Sequence, residues 1–220
     1  MPRRALSEHR PYLLLSLLAG ISYFFVADSA IGGLWLMVWK GAAVAFLAVY
    51  AAKRGKGLDG ALIALAMGLG ALGDVVIELD LLAGGAAFAL AHLAAIALYL
   101  RNLRGKRAGS QNAAALALAV FAPLLAWLIT RSDPDWPIAT CYAAILGLMA
   151  ATAWLSRFPR YRVGLGAVLF IVSDLVILGR EGGGLDPALA GWLVWPLYYA
   201  AQLLIVTGVV QTLRLERPSH

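Results

Sequence analysis

The sequence predicts an all-α, polytopic membrane protein of eight transmembrane helices. Three observations predict it: a composition too apolar for water, eight apolar runs of near-spanning length, and basic residues gathered on one side of those runs. The 220 residues are 62% hydrophobic and 14% charged, with a mean hydropathy of +0.80, outside the range of soluble globular domains. A helix covers a bilayer core with roughly 20 residues at ~1.5 Å each. Runs approaching that length lie at 12–27, 34–52, 60–79, 84–101, 112–130, 137–155, 162–178 and 188–212. They are read as one integral membrane domain over 1–220, because no loop between them is long enough to fold alone.

The first run is the shortest. Its basic lead MPRRALSEHR has the look of a signal-peptide start, but ADSA is a poor cleavage site, so it is read as a retained span. The second carries Lys40, and the third carries Asp74 in ALGDVVIEL with Glu78 four residues on. The fourth holds His92 and Tyr99, seven apart. Cys141 in the sixth is the sole cysteine, so neither a disulfide framework nor a thiolate cluster for zinc is available, and it reads as a small buried residue. The seventh presents Ser173 and Asp174 in LFIVSDLVIL. In the eighth, Trp195, Tyr198 and Gln202 follow a three-then-four step along one helix face, while Trp192 and Trp195 read as an interfacial aromatic belt.

Charge placement tests the span count independently. With both termini cytoplasmic, that side holds fifteen Lys and Arg and the opposite side only Arg131 and Arg180. An added or missed span would scramble this bias. The clusters RRALSEHR, KRGK, RNLRGKR and RFPRYR account for the net charge of +6 as anchors beside anionic lipid headgroups, so a nucleic-acid partner is not expected. The expected location is a bacterial inner membrane, crossed many times. Asp28, Asp80, Asp133, Asp135, Glu181 and Asp186 are read as loop charges, and REGGGLDP as a flexible outer loop, because no P-loop context accompanies its glycines. Asp74 and Asp174 each follow a small residue, Gly73 or Ser173, and precede VVI or LVI, which suggests a four-plus-four repeat.

Depth then groups the polar residues. Counted from the cytoplasmic starts of their helices, Asp74 and Asp174 lie about 21 and 18 Å in; counted from the outer ends, Lys40, His92 and Tyr198 lie about 9, 12 and 15 Å in. All five fall in one outer-half layer. Carboxylates in hydrocarbon are costly enough to mark functional sites by default. Each residue also has a plain structural reading: a Lys40–Asp pair can pin helices, His92 can be an interhelical hydrogen-bonder, and Glu78 can be a solvated terminus. A metal held by Asp74, Asp174, Glu78 and His92 is the weaker option, since His92 is the one histidine inside a span.

The run GLGALGDVVIELDLLAGGAAFALAHLAAIALY from Gly68 to Tyr99, the block GLGAVLFIVSDLVIL from Gly164 and YYAAQLLIVTG from Tyr198 resemble the signature segments of the YhhN-like lysoplasmalogenase family, and Lys40 fits a lysine of its second helix. The resemblance covers essentially all eight spans in order. It implies hydrolysis of the vinyl ether of a lysoplasmalogen to a fatty aldehyde and glycerophosphoethanolamine or glycerophosphocholine, with a lysophospholipid as substrate, membrane lipids as surroundings and no cofactor. A vinyl ether breaks after its β-carbon is protonated, because the ether oxygen then stabilises an oxocarbenium ion. Low dielectric favours the neutral form of a carboxyl group, so one of Asp74 and Asp174 can serve as acid while the other stabilises the cation and accepts a proton from water. Their convergence in one lipid-accessible cavity is the expectation. Lys40 would tune the pair or bind the phosphate, while Glu78, His92, Tyr99, Ser173, Tyr198 and Gln202 would support or orient.

Two other classes fit the same residues. A proton-coupled transporter would use the intramembrane acids and Lys40 as a charge relay, and an assembly subunit would use them only to specify packing. The oligomeric state is not legible in the sequence.

Overall fold

The computed structural model describes residues 10–27, 29 and 32–215; Asp28, Arg3, Arg4 and Arg217 lie outside them. Eight α-helices account for nearly all of these residues: α1 Pro11–Val26, α2 Leu34–Arg54, α3 Gly57–Val76, α4 Leu81–Arg101, α5 Gly109–Thr130, α6 Trp136–Leu155, α7 Leu165–Glu181 and α8 Pro187–Leu215, with a π-helical turn Arg160–Gly164 leading into α7. Among the described residues, seven helices are long and apolar enough to cross a membrane; α1, at 16 residues, is the shorter eighth. Large apolar side chains such as Leu18, Phe25, Leu72 and Leu116 are more than half exposed, an arrangement that hydrocarbon tolerates and water does not.

Helix ends are set by local chemistry. Gly33 before α2 and Gly57 at the start of α3 adopt φ of +63° and +59°, a region that side-chain-bearing residues rarely enter. Asp80 and Asp186 cap α4 and α8, each carboxylate accepting from the backbone N–H of Ala83 or Leu189 at 2.7 and 2.9 Å. Asp133 accepts from the Asp135 N–H at 2.9 Å, and Arg180 pairs with Glu181 at 2.7 Å. Asp80, Asp133, Asp135 and Asp186 thus sit between helices as loop charges, whereas Glu181 is the last residue of α7. Pro123 and Pro196 lie inside α5 and α8, where each removes one backbone donor, a loss that membrane helices accommodate.

The chain divides into two compact units, Met1–Ala94 with Leu213–His220, and Ala95–Thr212. In the first, α1 is tied to α2 by Ser16 donating to the Ala43 carbonyl at 2.6 Å and by the Trp39 indole donating to Ser22 at 3.0 Å. Close helix approach depends on missing side chains: a Cβ on Gly41 would sit 2.5 Å from Val75 Cγ2, and one on Gly73 would sit 2.9 Å from the Phe88 ring. Small residues serve this purpose where no hydrophobic force drives helices together.

In the second unit, Gly166 meets the Ala201 carbonyl and Ile205, each 2.9 Å from where its Cβ would be, so α7 lies tight against α8. A short antiparallel bridge joins Leu103 to Ser156. Arg157 reinforces it, donating its backbone N–H to the Asn102 carbonyl at 2.8 Å and its Nε to Asn102 Oδ1 at 2.7 Å. Beside it, Arg162 bonds Gln211 and clasps the π-helical turn to α8.

Three readings change. The third span ends at Val76 as a helix, not at 79, leaving Glu78 in the turn that follows. Cys141 is exposed, because α6 turns one face outward and a thiol is apolar enough to be there. Trp195 is buried, stacked on Tyr199 with centroids 5.6 Å apart, whereas Trp192 is 62% exposed and fits the aromatic belt.

Candidate active site

In the first unit, Asp74 is 1% exposed on α3. It sits between two residues that fix α3 from both sides: Gly73 receives the Phe88 ring of α4, and Val75 packs over Gly41 of α2. His92 on α4 is also buried. Lys40 forms an ion pair with Glu78, Nζ to Oε1 at 2.6 Å, with side-chain exposures of 18% and 43%. The structure thus gives the lysine to the acid of the turn. Such a partly exposed pair contributes about 0–1 kcal/mol. Because the helix has already ended, the four-residue spacing does not by itself place Glu78 on the face of Asp74.

The second unit holds Asp174, 9% exposed on α7. Its Oδ2 accepts a hydrogen bond from the hydroxyl of Tyr142 on α6 at 2.5 Å, at the short end of the O–H···O range. Its neighbour Ser173 points the other way and donates to the Val194 carbonyl of α8 at 3.1 Å. Successive residues on one helix therefore serve different interfaces: Ser173 ties α7 to α8, and Asp174 ties it to α6. Gln202 donates to the Tyr198 hydroxyl oxygen at 3.1 Å, within the turn of α8 that their spacing predicts, and the Tyr198 ring meets Phe170 edge-on at 5.3 Å. Tyr99 is buried against Phe158 near the bridge of residues 103 and 156, with its hydroxyl lacking a hydrogen-bond partner among the described residues.

Tyr142 is the residue that sequence reasoning missed. A tyrosine near the outer end of a span reads as interfacial, yet depth carries the signal. Tyr142 is six residues into α6 and Asp174 seven before the end of α7, so the two lie at about 9 and 10.5 Å from the same ends of adjacent antiparallel helices.

In the same unit, α5, α6 and α7 form an open apolar groove of about 400 Å³, lined by residues including Ala114, Phe121, Leu125, Trp154, Ile171 and Leu175, with Asp174 and Tyr142 outside the lining. Ile171 and Leu175 flank Asp174 on α7, one turn before it and one residue after it. In neither unit do three or more His, Cys, Asp or Glu among the described residues form a cluster able to hold a metal ion.

The chain matches the YhhN family over residues 35–209. It is also similar to two curated proteins named lysoplasmalogenase, from Mycobacterium bovis and Mycobacterium tuberculosis, each 38% identical over 132 residues. That alignment covers 57% of this chain and 49% of each relative, so the chain spans about half the length of the curated relatives it matches. No solved structure matches.

Proposed function

The chain belongs to the YhhN family, and from that membership we propose that it is a lysoplasmalogenase, an integral membrane hydrolase that cleaves the vinyl ether of a 1-alkenyl lysophospholipid to a fatty aldehyde and the glycerophospho-alcohol. The observation that carries this reading is a buried carboxyl group, Asp174, held by a tyrosine hydroxyl on the helix that also lines an apolar groove. Vinyl ether hydrolysis asks for that combination: an acid positioned to protonate carbon, and a dry channel for a long chain. The similarity to proteins named lysoplasmalogenase supports the substrate class.

In the proposed reaction the acid delivers its proton to the β-carbon, water adds to the oxocarbenium carbon, and the hemiacetal collapses. Asp74 is assigned the second carboxyl role, stabilising positive charge and taking the proton of water. Tyr198 with Gln202, and His92, orient water or the ether oxygen, and Lys40 receives the headgroup phosphate. The host is assigned as a bacterial inner membrane.

The test is covalent change. Purified protein in detergent, given a synthetic 1-alkenyl-glycerophosphoethanolamine, releases aldehyde and glycerophosphoethanolamine in equal amounts by mass spectrometry and leaves the 1-acyl analogue intact. An intact alkenyl lipid, together with pH-driven solute flux in proteoliposomes, would transfer the assignment to a proton-coupled transporter.

The groove adds a specificity prediction. From Ala114 to Leu125 it follows α5 for about 17 Å, the length of a long alkenyl chain. Ala114→Trp, which fills the end remote from Leu175, raises KM for C16–C18 chains about tenfold and leaves C8 chains within twofold. Equal effects on both lengths would remove the groove from the chain-binding role.

A further inference from the structure

We propose that Tyr142 is a positioning residue for the acid of this reaction, and that its hydrogen bond makes Asp174 the group that protonates the substrate carbon. The inference rests on the hydrolase reading and deepens it, since the sequence leaves the acid and base roles of the two aspartates open.

The geometry divides the two oxygens of one carboxyl group. Tyr142 donates to Oδ2 at 2.5 Å, so Oδ2 is committed to α6 and Oδ1 is the oxygen that carries the transferable proton. The side chain is also fixed from the backbone outward. Ser173 ties the preceding residue of α7 to the Val194 carbonyl of α8, and Gly166 seats the same helix tightly on Ala201 and Ile205. A carboxyl group with one oxygen anchored and its helix clamped loses little further freedom on reaching the transition state.

The hydrogen bond matters most at the moment of proton transfer. The Oδ1–H bond breaks, the alkene π pair forms the new C–H bond at the β-carbon, and the positive charge passes to the ether oxygen and its carbon. Asp174 becomes a carboxylate in a water-poor site. The Tyr142 hydroxyl is already directed at that carboxylate, so it stabilises the charge that develops without reorganising. Water, the co-reactant, then adds to the oxocarbenium carbon and gives up one proton to a carboxylate, from which the Asp174 acid is restored; its second proton passes to the glycerol oxygen as the C–O bond breaks, so that lipid plus water gives aldehyde plus glycerophospho-alcohol. Since a hydroxyl that merely staples α6 to α7 would look the same in a static structure, the test separates the two by kinetics.

Tyr142→Phe keeps the ring and removes only the hydroxyl. The expected result is kcat lowered about 10- to 100-fold, the range for a hydrogen bond to a charged group, with KM within about threefold because the interaction strengthens only as charge develops. Fluorotyrosines placed at position 142 keep the hydroxyl and make it a stronger donor, so they raise kcat in order of phenol acidity, at unchanged melting temperature. A kcat for Tyr142→Phe within threefold of the parent, or one insensitive to the fluorotyrosine series, would overturn the proposal while the hydrolase reading stands. Absence of aldehyde release from the parent protein, seen before any variant is compared, would overturn both.

Discussion

Asp174→Asn leaves a folded protein in which aldehyde release falls by roughly 10²- to 10⁴-fold, the contribution expected of a positioned general acid. The change is close to isosteric. The amide oxygen can still accept from Tyr142, so the tie between α6 and α7 survives while the transferable proton is gone. Helical content and detergent-solution melting temperature therefore stay close to those of the parent. Asp74→Asn gives a loss of the same order through the other half of the proposed acid and base cycle. Unequal effects are informative: if Asp74→Asn retained full turnover while Asp174→Asn did not, one carboxyl and water would account for the reaction, and the second aspartate would be left with a packing role. Glu78→Gln, which touches only the partly exposed ion pair with Lys40, leaves kcat nearly unchanged.

Gly84→Leu unfolds or severely destabilises the first unit, whereas Gly85→Ala one position along does not. A Cβ on Gly84 would lie 2.5 Å from both Cα and Cβ of Ile77 and 2.7 Å from its backbone nitrogen. Backbone cannot step aside as a flexible side chain can, so the substitution forces α3 and α4 apart at their shared turn. A cost of about 3 kcal/mol or more is expected, at the upper end of overpacking effects. Gly85 has nothing within 4 Å of its would-be Cβ; alanine there is neutral or stabilises by about 0.5–1 kcal/mol through the lower flexibility of the unfolded chain. Thermal unfolding of the two variants in detergent checks the contrast, and similar melting temperatures would show that the turn repacks.

Helix number and approximate bounds were legible because a bilayer imposes a length on every apolar run, and the eight runs each meet it or nearly so. The errors arose where length carries no information. Glu78 extends the third run by composition, yet the helix ends at Val76, which leaves the acid in the turn, paired with Lys40. Cys141 and Trp195 exchanged places relative to expectation, one exposed and one buried, since residue type is a weak guide to which helix face meets lipid when both faces are apolar. The loop acids behaved as read because capping is a local rule: Asp80 and Asp186 need only the first turn of their own helix.

The candidate site was legible one helix at a time. Asp74, His92, Asp174, Tyr198 and Gln202 all proved buried, as intramembrane polar groups should be, and the four-residue step from Tyr198 to Gln202 produced the expected contact. Tyr142 escaped because its partner lies on another helix, 32 residues away in sequence. Spacing within a span reveals stripes; pairs across spans require depths to be matched between helices of opposite direction.

The most direct test of the central claim is hydrolysis of a synthetic 1-alkenyl-glycerophosphoethanolamine by the purified protein in D₂O, with the aldehyde trapped at once by reduction and the products weighed by mass spectrometry. Carbon protonation by Asp174 predicts equal amounts of glycerophosphoethanolamine and aldehyde, the aldehyde bearing one deuterium on the carbon next to the carbonyl, and both products formed roughly a hundredfold or more slower by Asp174→Asn. An untouched lipid, or an aldehyde formed as fast by Asp174→Asn as by the parent, would contradict it.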